Sequence, residues 1–263
     1  MLRKLFSYEM KQTSRLLLLL HGIGLILSLA VYALQCITGL ERGHFLLSVL
    51  MMVSVLILVS IGVFTHFTFA ARFYRTIFSN EGYLTNTLPV TTGQILLSRF
   101  YTALIWGFAD LILLFLYVSL IFRINFFNMF ADYLPVITGN LGFFLLILLL
   151  FILEVIVTIL TLFGAIAIGN LFGGHKIIGS IISYFFLNFV LQIISLIPFL
   201  FFLKDLMKVP SGSYGLFEFQ RAYPTAFHSI EMVLGAETIL YLLCIGVLYW
   251  LTWHLMDKKL NLE

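Results

Sequence analysis

The sequence predicts an all-α integral membrane protein with six transmembrane helices, and two observations lead to that fold class. First, 62% of the 263 residues are hydrophobic and only 10% are charged, against about 25% charged in an ordinary soluble domain. Second, a helix needs roughly 20 mostly apolar residues to cross a bilayer, and six stretches have them: 16–37, 45–69, 101–122, 141–168, 177–203 and 236–256. The composition excludes a soluble enzyme and a nucleic-acid binder, and the length of the spans excludes a β-barrel.

The distribution of basic residues predicts that both termini are cytoplasmic. Ten Lys and Arg residues fall in segments 1–15, 70–100, 169–176 and 257–263, whereas five fall in the segments on the opposite side. Segments rich in Lys and Arg stay on the cytoplasmic side of a membrane. We therefore expect a single membrane domain over residues 1–263, with its longest inner segment after span two.

That inner segment, residues 71–100, is the most informative part of the chain because it is too long for a turn and too polar to span. Asn80 is a residue type that caps helix N-termini, and Pro89 pushes the residue before it out of the helical region. A short cytoplasmic helix between them has one face formed by Tyr83, Leu84, Thr87 and Leu88. Thr91 and Gln94 form a capping box that begins the third span.

Periodicity leaves two interpretations of the short helix open: it lies on the lipid headgroups, or it docks on a soluble partner. Here the chain resembles a family, the permease subunits of bacterial ABC exporters in the six-span type V class. The resemblance is carried by Glu81-Gly82-Tyr83-Leu84-Thr85-Asn86-Thr87-Leu88-Pro89-Val90, by Gln94-Ile95-Leu96-Leu97-Ser98, and by the region of Trp106. Residues 5–11, Leu-Phe-Ser-Tyr-Glu-Met-Lys, look like the N-terminal connecting helix of the same family.

The resemblance implies a function as well as a fold. Residues 1–15 would form an amphipathic connecting helix, and the chain would lie in the bacterial cytoplasmic membrane. A separate ABC ATP-binding subunit, which carries ATP and Mg²⁺, would dock on the coupling segment, and a second permease chain, identical or different, would complete a dimer. The residues carried over as ATPase-coupling are Glu81, Gly82, Tyr83, Leu84, Thr87, Leu88 and Pro89. The cargo would be a peptide, a drug or a lipid-like molecule, and this chain itself would hold no cofactor, metal or catalytic site.

Two acids lie near the middle of the predicted spans, Asp110 in span three and Glu154 in span four. A carboxylate at mid-membrane costs a few kcal/mol, so we expect both to face the interior of the bundle. Each belongs to a polar stripe, and such stripes commonly hold helices together. A third stripe, on span five, is the candidate pathway, because span five lines the dimer interface in the resembled family: Tyr184, Asn188, Gln192 and Ser195.

In the outer segment 204–235, the spacing of apolar residues predicts two short amphipathic helices before span six. The resembled family has a helical hairpin at this place. Pro224 suits the first turn of the second helix, and Gly235 suits its C-terminal cap. An interfacial belt without any gating role is an equally good interpretation.

Two other functions compete with an exporter permease. Asp110 and Glu154 would serve as the proton site of a secondary transporter, but the paired broken spans typical of such transporters are missing from the sequence. A membrane enzyme is disfavoured, because the six His residues are scattered singly and no His-Glu-x-x-His set occurs.

Overall fold

The computed structural model of the chain describes residues 2–38, 44–79, 82, 89–209 and 216–258. Throughout this part of the chain the regular structure is helical, and no strand occurs. Six of the helices are long and apolar enough to cross a membrane. The prediction of an all-α membrane protein with six spans is therefore confirmed at that level.

Among the described residues there are eight α-helices: α1 (Leu2–Thr38), α2 (Phe45–Phe78), α3 (Thr92–Phe122), α4 (Phe126–Gly139), α5 (Leu141–Gly169), α6 (Lys176–Leu206), α7 (Leu216–Ala222) and α8 (Pro224–Lys258). A 3-10 turn, Gly173–His175, joins α5 to α6. Gly173 has a φ of +51°, a conformation that favours glycine.

The chain divides into two compact units, and the first contains α1, α2 and α3. Its core forms where these three helices pack on one another. The buried apolar residues of this core are Val31, Leu47, Met51, Leu58, Ile61, Tyr117 and Ile121. Gly24 makes the packing close, because a Cβ there would lie 3.0 Å from both Ile61 and Tyr117. Small residues allow membrane helices to approach in this way.

Helix α1 is continuous from Leu2 to Thr38, so the backbone has no boundary between the predicted connecting helix 1–15 and span 16–37. At about 1.5 Å per residue this helix is about 55 Å long, whereas the apolar core of a bilayer is about 30 Å thick. The sequence pattern changes from polar to apolar along one uninterrupted helix.

The predicted capping box at the start of span three is confirmed. The Thr91 side chain accepts a hydrogen bond from the Gln94 backbone N–H at 3.3 Å, and the Gln94 side chain accepts one from the Thr91 N–H at 3.4 Å. Helix α3 therefore begins at Thr92, inside the predicted coupling segment 71–100, and α2 extends into that segment as far as Phe78.

The second unit contains α5, α6, α7 and α8, and α5 packs against both α6 and α8. Gly169, the last residue of α5, touches the backbone of Ser180 in α6 so closely that a Cβ would overlap it. Near the other end of α5, the rings of Phe143 and Phe227 lie 5.2 Å apart. One end of α5 is therefore packed against α6, and the other end is packed against α8.

One expectation for the segment 204–235 is wrong. Gly235 does not cap a short helix, because α8 runs without a break from Pro224 to Lys258 and includes span six. Pro224 does occupy the first helical position, where its missing N–H costs nothing. Between spans three and four the chain forms a further helix, α4, at whose start the Asn125 side chain accepts a hydrogen bond from the Asn128 N–H at 3.3 Å.

Candidate functional site

A polar cavity of about 450 Å³ lies within the second unit, between α5, α6 and α8. Its polar lining consists of Glu154, Thr158, Thr161, Asn188, Gln192, Ser195, Glu237 and Tyr241. Its apolar lining consists of Val157, Leu191, Leu196 and Phe199. Ligand sites in proteins commonly have this size and mixture of surfaces.

Helical spacing explains why these residues share one cavity. On each of the three helices the polar residues follow one another at intervals of three or four, so they lie on a single face. Span five contributes Asn188, Gln192 and Ser195, three of its four predicted pathway residues. The fourth, Tyr184, is not among the lining residues, but its carbonyl oxygen accepts a hydrogen bond of 2.8 Å from the Asn188 side chain.

Glu154 faces this cavity as an exposed side chain, and α8 supplies two neighbours that the sequence analysis did not identify. The Tyr241 side chain lines the cavity near the Glu154 carboxylate and the Ser195 hydroxyl. Glu237, one turn before Tyr241, is close enough to Glu154 for the two carboxylates to repel each other. The signal was present in the sequence as a Glu–Tyr pair spaced by four residues inside an apolar helix.

The other intramembrane acid, Asp110, has a different environment in the first unit. It is 3% exposed, and its Oδ1 lies 3.3 Å from Nε2 of His21, a contact outside good hydrogen-bond geometry. The Thr65 hydroxyl lies 3.5 Å from the same oxygen. The Trp106 ring stacks on His21, and the Tyr117 hydroxyl donates to the His21 carbonyl oxygen at 2.9 Å.

The two intramembrane acids therefore lie in different environments, although they look alike in the sequence. Asp110 is packed into a buried polar cluster with His21, whereas Glu154 lines an accessible cavity between three helices. Of these two acids, Glu154 is the one whose carboxylate is available to a ligand.

A buried ionic cluster joins α1, α2 and α3 at the ends next to residues 79–91. Glu9, which is 2% exposed, forms ion pairs with Arg72 at 2.9 Å and with Arg99. Arg72 also donates to the Gln12 side chain at 3.3 Å. One carboxylate on α1 thus holds the end of α2 and the start of α3 together.

Most of the predicted coupling residues lie outside the described part of the chain, namely Glu81, Tyr83, Leu84, Thr87 and Leu88. Gly82 and Pro89 are described. The Gly82 N–H donates to the Ser79 carbonyl oxygen at 2.7 Å, and a Cβ on Gly82 would overlap the Ile77 carbonyl. Pro89 is exposed in a bend that precedes α3. Gly82 therefore lies directly against the last turn of α2.

Comparisons of the chain with protein-family models, with curated proteins and with solved structures gave no match.

Proposed function

We propose that this chain is the membrane-spanning permease subunit of an ATP-driven ABC exporter in the bacterial cytoplasmic membrane. A separate ATP-binding subunit, carrying ATP and Mg²⁺, docks on residues 81–89, and two permease chains, identical or different, form the transport pathway. The cargo is a peptide, a drug or a lipid-like molecule. The chain itself performs no catalysis.

The observation that carries this proposal is the geometry around residues 79–91. The segment resembling a coupling helix is held between the end of α2 and the capped start of α3. Glu9 ties these two helix ends to each other and to α1 through Arg72 and Arg99. A force applied to the segment by an ATPase moves the three helix ends together, which is how a docking site biases a two-state membrane domain.

A proton-coupled secondary transporter is the second candidate, and the pairing of Asp110 with His21 favours it. Intramembrane carboxylate and histidine pairs are typical components of proton relays. This function requires no ATPase, so a purified chain that moves substrate on a proton gradient alone would support it against the exporter proposal.

Co-purification tests the exporter proposal directly. The affinity-tagged chain, extracted in mild detergent from cells that express it naturally, is expected to retain a soluble ATP-binding subunit. Leu84→Asp places a charge on the predicted docking face and is expected to reduce the retained ATPase at least about tenfold. The retained subunit is measured by mass spectrometry and ATP hydrolysis.

Ile124→Asp is the matched control, because Ile124 is 39% exposed and lies on the predicted outer side. This variant should retain the ATPase as the unmodified chain does. Loss of the ATPase from both variants, or from neither, would contradict docking through residues 81–89.

Combined replacement of Asn188 and Gln192 by Ala tests the pathway. Removing two polar groups from the cavity wall is expected to lower export about thirtyfold, at roughly 1 kcal/mol for each lost hydrogen bond. Chain levels in the membrane should not change, because Gln192 is exposed and Asn188 is only partly buried. Export is measured in cells and normalised to the amount of chain by immunoblot.

The control makes the same chemical changes away from the cavity lining, at Asn128 on α4 and Gln220 on α7. Normal export by the Asn188→Ala, Gln192→Ala double variant would exclude a pathway role for this face of α6.

A further inference from the structure

The cavity of the second unit has a strongly asymmetric charge. Two carboxylates line it, Glu154 on α5 and Glu237 on α8, and no Lys, Arg or His is among the described residues of its wall. The remaining polar groups are hydroxyls and amides. The acidic groups of the cavity therefore have no basic side chain beside them among the described lining residues, in a helix bundle where an uncompensated charge is costly.

The neighbouring groups stabilise this charge only in part. Tyr241, which also lines the cavity from α8, places a neutral hydroxyl near Glu154 and Ser195. Glu237 lines the same cavity and adds a second carboxylate whose charge acts against that of Glu154. Two like charges in a partly desolvated site are relieved when a cation binds between or beside them.

A second observation, independent of the acids, also indicates a ligand. Thr161 lines the cavity, its side chain is 1% exposed, and its Oγ1 has no hydrogen-bond partner. A buried hydroxyl without a partner loses free energy that a ligand group with an N–H or O–H recovers. The cavity wall thus presents an unused acceptor in addition to its two carboxylates.

The apolar part of the cavity wall indicates what kind of molecule bears the cationic group. Leu191, Leu196 and Phe199 form an apolar side to a space of about 450 Å³. That volume is far larger than a bare metal ion requires and matches sites for organic ligands. The occupant therefore combines a cationic hydrogen-bond donor with an apolar body.

We propose that this cavity binds an amphipathic organic cation, with its primary ammonium between Glu154 and Glu237 and its apolar part against α6. An ammonium supplies three N–H donors, enough for both carboxylates. Thr161 lies seven residues after Glu154 on α5, about 10 Å along the helix, so its hydroxyl accepts from an N–H on the body of the ligand rather than from the ammonium. The identification of this ligand class with the exported cargo rests on the proposed function, whereas the binding itself does not.

The binding test uses the full purified chain in detergent without any ATPase, and dansylcadaverine, a fluorescent primary amine, as the probe. Glu154→Gln and Glu237→Gln keep the side-chain shape and remove the charge. Each is expected to weaken binding about tenfold, and the double variant more, as measured by fluorescence anisotropy. Glu231→Gln, on the same helix but outside the cavity lining, is the matched control and should bind like the unmodified chain.

Two modified probes examine the chemistry of recognition. The N-acetylated probe is neutral and is expected to bind at least tenfold more weakly, whereas the trimethylammonium probe keeps the charge and loses the ammonium N–H donors. Thr161→Val should weaken binding of both charged probes about threefold, because both keep the sulfonamide N–H that reaches the Thr161 hydroxyl. Equal binding of the charged and neutral probes, or unchanged binding by the double Glu variant with a normal size-exclusion profile, would overturn the proposal.

The role as cargo site is tested separately. The Glu154→Gln, Glu237→Gln double variant should still co-purify with the ATPase but lose stimulation of ATP hydrolysis by the probe. If the probe binds and no ATPase is retained, the exporter proposal fails and the binding site stands. If the ATPase is retained and the probe does not bind, the cation site fails and the exporter proposal stands.

Discussion

Glu9→Gln is expected to lower the free energy of unfolding by about 3 to 5 kcal/mol, the usual cost of removing one partner from a buried ion pair. The Glu9 side chain is 3% exposed and that of Arg99 is 7% exposed. Gln fills the same space but leaves the Arg99 guanidinium buried without its opposing charge. Unfolding of the purified chain in mixed detergent, followed by circular dichroism, measures the loss.

A double-mutant cycle separates the ionic interaction from loss of packing. Arg99→Met removes the buried charge, so the Glu9→Gln, Arg99→Met double variant should be less destabilised than the sum of the two single variants, by about 1 to 3 kcal/mol. Glu231→Gln serves as the control, because Glu231 lies outside the first unit and faces His228 at 3.7 Å with much of its surface exposed. Additive effects of Glu9→Gln and Arg99→Met would refute the coupling.

Gly169→Ala is expected to destabilise the second unit by about 3 kcal/mol, which is the upper part of the range for overpacked cores. A Cβ at this position overlaps the backbone nitrogen and the Oγ of Ser180. A backbone atom cannot rotate away, so α5 and α6 must separate where their ends meet. The cavity lies between the same two helices, so the variant is also expected to weaken binding of the ammonium probe.

The chain contains glycines that test this explanation against a general effect of alanine. Gly142 in α5 and Gly246 in α8 have nothing within 4 Å of an added Cβ. Alanine is the better helix former, so Gly142→Ala and Gly246→Ala should be neutral or stabilise by up to about 1 kcal/mol. A Gly169→Ala variant as stable as these two would show that α5 and α6 do not need their close contact.

The six spans could be predicted from the sequence, because an apolar run of about 20 residues forms a transmembrane helix in a bilayer. The start of α3 could also be predicted, since the reciprocal hydrogen bonds of Thr91 and Gln94 are local. Helix continuity was harder to predict. Gly235 is a common C-cap residue, yet it lies inside α8, where the residues after it continue an apolar helix.

The composition of the candidate site was predictable only within each helix. The polar face of α6 followed from spacing, and three of its four residues do line the cavity. Contacts between helices distant in sequence did not follow. His21 beside Asp110, Tyr241 beside Glu154, and Arg99 beside Glu9 join residues from different helices that no local pattern connects.

The Glu9 cluster also has a consequence for the order of biosynthesis. Glu9 leaves the ribosome first, Arg72 follows 63 residues later, and Arg99 comes only with the third membrane helix. A nascent chain that ends before α3 therefore contains a carboxylate without its more deeply buried partner. The amino-terminal turns of α1 become fixed only when the third helix has been inserted, so their protection from protease marks the completion of the first unit.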